Sequence, residues 1–161
     1  DKKQAEETCD EAVEWLEDLD NKTSEDYALL ALIQSFGIQF KGMKAMFISS
    51  RIKKNAKKAI SMEPKNLRAH YVFASNDFYT PEKYGGGKNA EKFLLKAIAL
   101  PDQKVKNPFL PSWGKEQAYE MLIKLYIKKK DLANAKKHFK AGIDLYPESY
   151  NLKQLAAKLI E

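Results

Sequence analysis

Apolar residues recur along this chain at steps of three and four, with lysines, glutamates and asparagines between them. That step keeps one face of a helix apolar, whereas a half-buried strand alternates every second residue. The clearest case is Asp131 to Pro147, where Ala135, Phe139 and Gly142 share one stripe. Two small residues let a neighbouring helix come close, and the ring fills the space beside them. Pro147 cannot continue a helix and marks the stop. Ala90, Leu94 and Ala97 repeat the spacing ahead of Pro101, and Ile52, Ala56 and Ala59 repeat it ahead of Pro64. A second amphipathic segment precedes each of the last two stripes. It reads His70, Phe73, Ala74 and Asp77 in one case, and Tyr119, Leu122, Ile123 and Tyr126 in the other.

The same pattern extended along the chain predicts about eight helices and no strand. The first runs from Lys2 to Leu19, anchored by Trp15, with an acidic outer face of Glu6, Glu7, Asp10, Glu14 and Glu17. Thr23 with Asp26 three residues later forms a capping box for the second helix, Ser24 to Phe40, which should be the most buried. The third, Met43 to Met62, turns Met46, Phe47, Ile48, Ile52, Ala56 and Ala59 inward and Arg51, Lys53, Lys54, Lys57 and Lys58 outward. Leu67 to Tyr79 is the fourth. Thr80-Pro81 should open a short turn, cap then first-turn proline. Tyr84 to Lys88 is a joint before the fifth helix, Asn89 to Leu100. Pro101 to Trp113 holds three prolines and reads as a loop that packs through Phe109, Leu110 and Trp113. Ser112 should cap the sixth helix, which ends near Lys130. Asp131 should cap the seventh, and Glu148 to Ile160 should close the array with one apolar face.

Self-similarity of this kind is the mark of a repeat array. The chain resembles the tetratricopeptide repeat family, whose helix-turn-helix unit has a period of about 34 residues. Glu116 to Pro147 matches it best, with Tyr119, Leu122, Tyr126, Ala135, Phe139, Gly142 and Pro147 in the family's places. Leu67 to Ala97 is a degenerate copy, with His70 and Asp77 where aromatic residues are usual. The units here are longer than the period, and the extra residues fall at Tyr84–Gly87 and Asp102–Ser112. The resemblance implies an all-α fold of antiparallel helix pairs stacked in a right-handed superhelix. The expected organisation is one domain, 1–161, with helix pairs at 1–42, 43–79, 88–130 and 131–161. It also implies a non-catalytic scaffold that binds a peptide or protein segment in a concave groove. Carried over position by position, the groove residues are Arg68, Tyr71, Ser75 and Phe78, then Gln117, Glu120 and Lys124.

Composition narrows the picture further. At 161 residues, 44% apolar and 31% charged, the chain can bury one core. No apolar run approaches the roughly 18 residues of a membrane span. Cys9 is the single cysteine, so an intrachain disulfide and a thiolate metal cluster are excluded. The sequence begins at Asp1 without Met, which fits a removed leader or a trimmed end. The Pro81-x-x-x-Gly85-Gly86 turn and the later Trp113-Gly114 resemble exported proteins of Gram-negative gut-type bacteria, which implies a secreted or periplasmic home over a cytoplasmic one. A monomer is expected. Charge is unevenly placed: residues 1–26 hold eleven acids against three lysines, while the whole chain is +6. An acidic arm and a basic remainder attract each other or different partners.

Candidate chemistry is thin. Gly85-Gly86-Gly87-Lys88 opens a helix, but a phosphate loop needs glycine where Glu82 stands and Ser or Thr where Asn89 follows. The sequence therefore reads as an inter-helix turn. His70 lies on an inward stripe and reads as a packed ring, while His138 among lysines reads as solvated. Neither has a second ligand at metal spacing, so no metal or cofactor is expected. Glu14 and Asp18 share a solvated helix face, which lacks the unequal environments that acid–base chemistry needs. Ser49, Ser50 and Ser112 lack a nucleophile-elbow context, and no enzyme activity is expected. The lysine clusters Arg51–Lys58 and Lys124–Lys140 allow an alternative, binding of a nucleic acid or another polyanion. Aromatic rings for base stacking are not interleaved with them. Asn21-Lys22-Thr23 matches a glycosylation acceptor, relevant only in a eukaryotic secretory host.

Overall fold

The helical stripes of the sequence become eight α-helices in a computed structural model that describes residues 1–102 and 109–160. They are α1 (Lys2–Glu17), α2 (Ser24–Gly37), α3 (Ala45–Met62), α4 (Leu67–Tyr79), α5 (Ala90–Ala99), α6 (Lys115–Lys128), α7 (Leu132–Leu145) and α8 (Tyr150–Leu155). Short 3-10 turns occupy Ile38–Phe40, Gly42–Lys44, Glu82–Tyr84 and Ala156–Leu159. There is no strand among the described residues.

Local chemistry sets the helix starts. The Thr23 hydroxyl accepts from Asp26 N, and the Asp26 carboxylate accepts from Thr23 N at 2.8 Å, completing the expected box. Asp131 caps α7 by accepting from Asn134 N. Asn66 caps α4 by accepting from Arg68 N and Ala69 N. The start of α5 is capped from another helix, because Asp77 of α4 accepts from Asn89 N at 2.8 Å and Ala90 N at 2.9 Å. Two starts differ from expectation. The short turn expected after Thr80-Pro81 forms at Glu82–Tyr84, but Thr80 is not its cap; its hydroxyl donates back to Asn76 O at 2.6 Å and closes α4. Gly114, not Ser112, stands at the start of α6, with φ +112°. A Cβ there would meet Arg68 Cγ and Leu67 Cδ1 at 2.9 Å, so only glycine fits against α4.

Packing follows the small-residue stripes. Ile52, Ala56, Ala59, Ala90, Leu94, Ala97, Ala135 and Gly142 are all buried. A Cβ on Gly142 would lie 3.3 Å from Leu152 Cδ1 and 3.4 Å from Tyr119 Cβ, which shows how closely α6 and α8 press on α7. The most extensive contacts join α2 to α3, α4 to α5 and α6 to α7. Each pair also packs on the next, and α2, α4, α6 and α8 touch in succession. The largest apolar cluster lies among α4 to α8.

Several inward assignments are corrected. Trp15 is 68% exposed, and Leu16 beside it is the buried residue of α1. The inward stripe runs Cys9, Ala12, Val13 and Leu16, which leaves Trp15 off its edge. Met46 and Phe47 are exposed as well. The first turn of α3 overhangs its neighbour, since Ser49 already pairs with Asn76 and Thr80 in the last turn of α4. The most buried helix is α4, with nine buried residues against six in α2. Ile160 is exposed because the chain tightens to 3-10 over Ala156–Leu159 and turns it away. The reading of Pro101 to Trp113 as a packed loop falls partly on residues 103–108, outside the described residues. Of its anchors, Phe109 and Leu110 are exposed and Trp113 is half-buried.

Candidate interaction site

The residues singled out for a groove lie on α4 and α6, two helices that pack side by side. Arg68, in the first turn of α4, is 2% exposed. Its Nε donates to Glu25 Oε2 at 2.6 Å and its Nη2 pairs with Glu25 Oε1, a two-pronged bond to α2. Nη1 is buried and has no hydrogen-bond partner among the described residues. The guanidinium lies 6.0 Å from the Trp113 ring. Tyr71, one turn on, meets the edge of the same indole at 6.3 Å. Burial pushes the Tyr71 hydroxyl up to about 12, and the Glu120 carboxylate adds to the effect. A hydrogen bond with buried Ser75 works against it. Across on α6, Glu120 pairs with Lys124.

Tyr71 thus reaches Ser75 on its own helix and Glu120 on α6, the partner of Lys124, whereas Arg68 turns to Glu25 of α2. Phe78 is further along, with the Lys128 ammonium 5.7 Å above its ring. Gln117 is turned to the helix start, where its side-chain oxygen accepts from Gly114 N at 2.7 Å. The sequence reading missed Trp113, Glu25 and Lys128. The Trp113-Gly114 pair was the available signal, since a ring beside the glycine that seats α6 on α4 has to land there. Glu25 carried no signal, because its partner comes from another helix.

A concavity of about 370 Å³ sits at the α7–α8 turn, lined by Glu116, Tyr146, Glu148, Ser149, Tyr150 and Asn151. The Tyr146 hydroxyl donates to Asp102 at 2.7 Å, and burial holds its proton well above the usual tyrosine range. Ser149 donates to Glu116 at 2.5 Å while its oxygen caps α8 through Leu152 N. These groups tie α6, α8 and the chain after α5 together.

His70 packs as expected, its Nε2 donating to Pro64 O at 2.9 Å and its ring 5.7 Å from Phe93. Its Nδ1 is buried without a partner among the described residues. His138 is a correction: it is buried, because α7 packs on α6 and its ring stacks on Tyr126 at 5.5 Å. Burial lowers the proton affinity of both imidazoles. No group of three or more His, Cys, Asp or Glu able to hold a metal occurs among the described residues. No described helix is long and apolar enough to cross a membrane. Comparison with protein-family models gives no match, and comparison with curated proteins gives none either.

Proposed function

We propose that this chain is a non-catalytic interaction scaffold, a tetratricopeptide-like right-handed superhelix that binds a peptide or protein segment on the concave face formed by α2, α4, α6 and α8. The observation that carries the reading is the succession of contacts among those alternate helices, α2 with α4, α4 with α6 and α6 with α8. In such an array the alternate helices line one continuous surface. The α4–α6 junction on that surface offers a half-buried tyrosine, a half-buried tryptophan and an acid–base pair within a few residues. Aromatic rings with a polar rim are what peptide binding surfaces concentrate. An exported location is part of the same reading, resting on the turn and Trp-Gly resemblance alone.

The test is a displayed peptide library panned on the chain, followed by calorimetry of the selected segment. Tyr71→Ala with Lys124→Ala should weaken binding about tenfold or more, as loss of a central aromatic contact usually does. Unchanged affinity would place the segment elsewhere and end this assignment.

A second reading, polyanion binding, has one observation in its favour. α3 carries five bases, Arg51, Lys53, Lys54, Lys57 and Lys58, and no acid. Such binding would weaken steeply with salt.

A further inference from the structure

The acidic and basic parts of the chain meet within the molecule, yet each keeps an outer face unused. Lys41, just before α3, reaches Glu6 at 3.1 Å and Asp10 at 2.6 Å, and Arg51 of α3 pairs with Glu17. Beyond that seam, Glu11, Glu14, Trp15 and Asp18 follow one another at helical spacing on α1 and its cap, all exposed. On α3, Phe47, Lys54 and Lys58 form a matching exposed row, continued by Met43, which is 99% exposed. None of these acids and lysines makes an ion pair among the described residues.

We infer that this end of the molecule is a self-association surface: α1 of one copy docks on α3 of a second copy, and the reverse. Trp15 then covers the Met43–Phe47 patch, while Glu14 and Asp18 face Lys54 and Lys58. Charge complementarity selects the occupant. A single chain carries both halves in equal number, and the same acid-to-base pairing already joins α1 to Lys41 and Arg51 inside it. It also selects the symmetry. An α1-on-α1 arrangement sets like charges together, so the two-fold pairs unlike helices in an isologous dimer. One helix-on-helix contact falls short of the roughly 1,200 Å² a stable interface buries, and two reciprocal contacts double it.

Light scattering after gel filtration tests this with the whole chain over a concentration series up to about 100 µM. A dimer should form at low salt and dissociate toward about 1 M salt, where screening shortens to a few ångströms. Glu14→Lys with Asp18→Lys should give monomers, as should Lys54→Glu with Lys58→Glu. An equimolar mixture of the two variants should restore a dimer holding one chain of each, which no loss of folding could mimic. A native chain that stays monomeric at low salt throughout the series would overturn the inference. So would a dimer that survives in either variant, or a mixture that stays monomeric. Capture of nucleic acid by Lys54 and Lys58 on a monomeric chain would overturn it too, and would assign that face to a polyanion.

Discussion

The packed interior around α6 and the seam that fastens α1 are held by different forces. Around α6, Leu94, Leu122, Ile123 and Leu152 are buried beside Ala97, Ala118, Ala135 and Gly142, and the small residues set how near the helices come. α1 buries Leu16 and little else. Its attachment includes Lys41 with Glu6 and Asp10, and Arg51 with Glu17. Burial is short-ranged and insensitive to moderate salt, whereas partly exposed ion pairs are screened and individually weak. The contrast teaches that the small-residue stripe decides where helices nest. The uneven charge serves as a fastener at the end where that stripe fades.

The sharpest way to break the comparison is to open the interior. Leu122 is fully buried in the largest cluster. Leu122→Ala removes its contacts and leaves a cavity, so unfolding in urea should lose about 2–5 kcal/mol of stability. Because the interior is shared by stacked pairs, protection of amides in α1 should fall together with those in α6. A urea midpoint within error of the parent would mean that the interior is no better packed than the seam.

A smaller effect separates the regions by pH. His70 and His138 lie in the α4–α7 body, and burial depresses the proton affinity of each below the ordinary 6.5. The unfolded chain therefore binds more protons than the folded one just below pH 6.5, and stability falls as pH drops through that window. For His70 the cause is plain in the geometry. Nε2 already donates to Pro64 O, so a second proton would sit on a buried Nδ1 that has no partner among the described residues. Carboxylates such as Glu91, held below 4.5 by Lys129 and Tyr126, lose their contribution only at lower pH. Urea midpoints measured from pH 7 to pH 5 should decline in the parent. They should decline less in a chain with His70→Phe and His138→Phe. Equal slopes would show that the body does not enforce neutral imidazoles.

Most helices were legible from spacing alone, because burial of one face demands the three-and-four step whatever the partner is. Ala97, Ala135 and Gly142 lie inside as their stripe required. Errors gathered where a residue's fate depends on a different element. Phe47 has helical spacing, but no described helix covers it. His138 has lysine neighbours in sequence and a tyrosine neighbour in space. Asp77 is buried on the inward stripe of its own helix, but its role belongs to the start of the next one. The candidate site was legible as positions on α4 and α6. Its central ion pair was not, since Arg68 and Glu25 are far apart in sequence and their meeting depends on how α2 packs on α4.

The smallest expected effect tests the seam itself. The Lys41 ammonium keeps its proton above the ordinary 10.5, chiefly through its hydrogen bond with Asp10 and then that with Glu6. A group with a raised folded value contributes fully below 10.5 and loses its contribution as pH rises through that raised value. Lys41→Ala should therefore cost no more than about 1 kcal/mol at neutral pH, as expected for partly exposed pairs. The loss should be local: faster amide exchange in α1, with α6 unchanged. Raising salt in the parent should move α1 exchange in the same direction, and do so much less in the variant, where the Lys41 contacts are already gone. If α1 keeps full protection in Lys41→Ala while Leu16→Ala releases it, burial and not charge holds the seam, and the two regions are built alike.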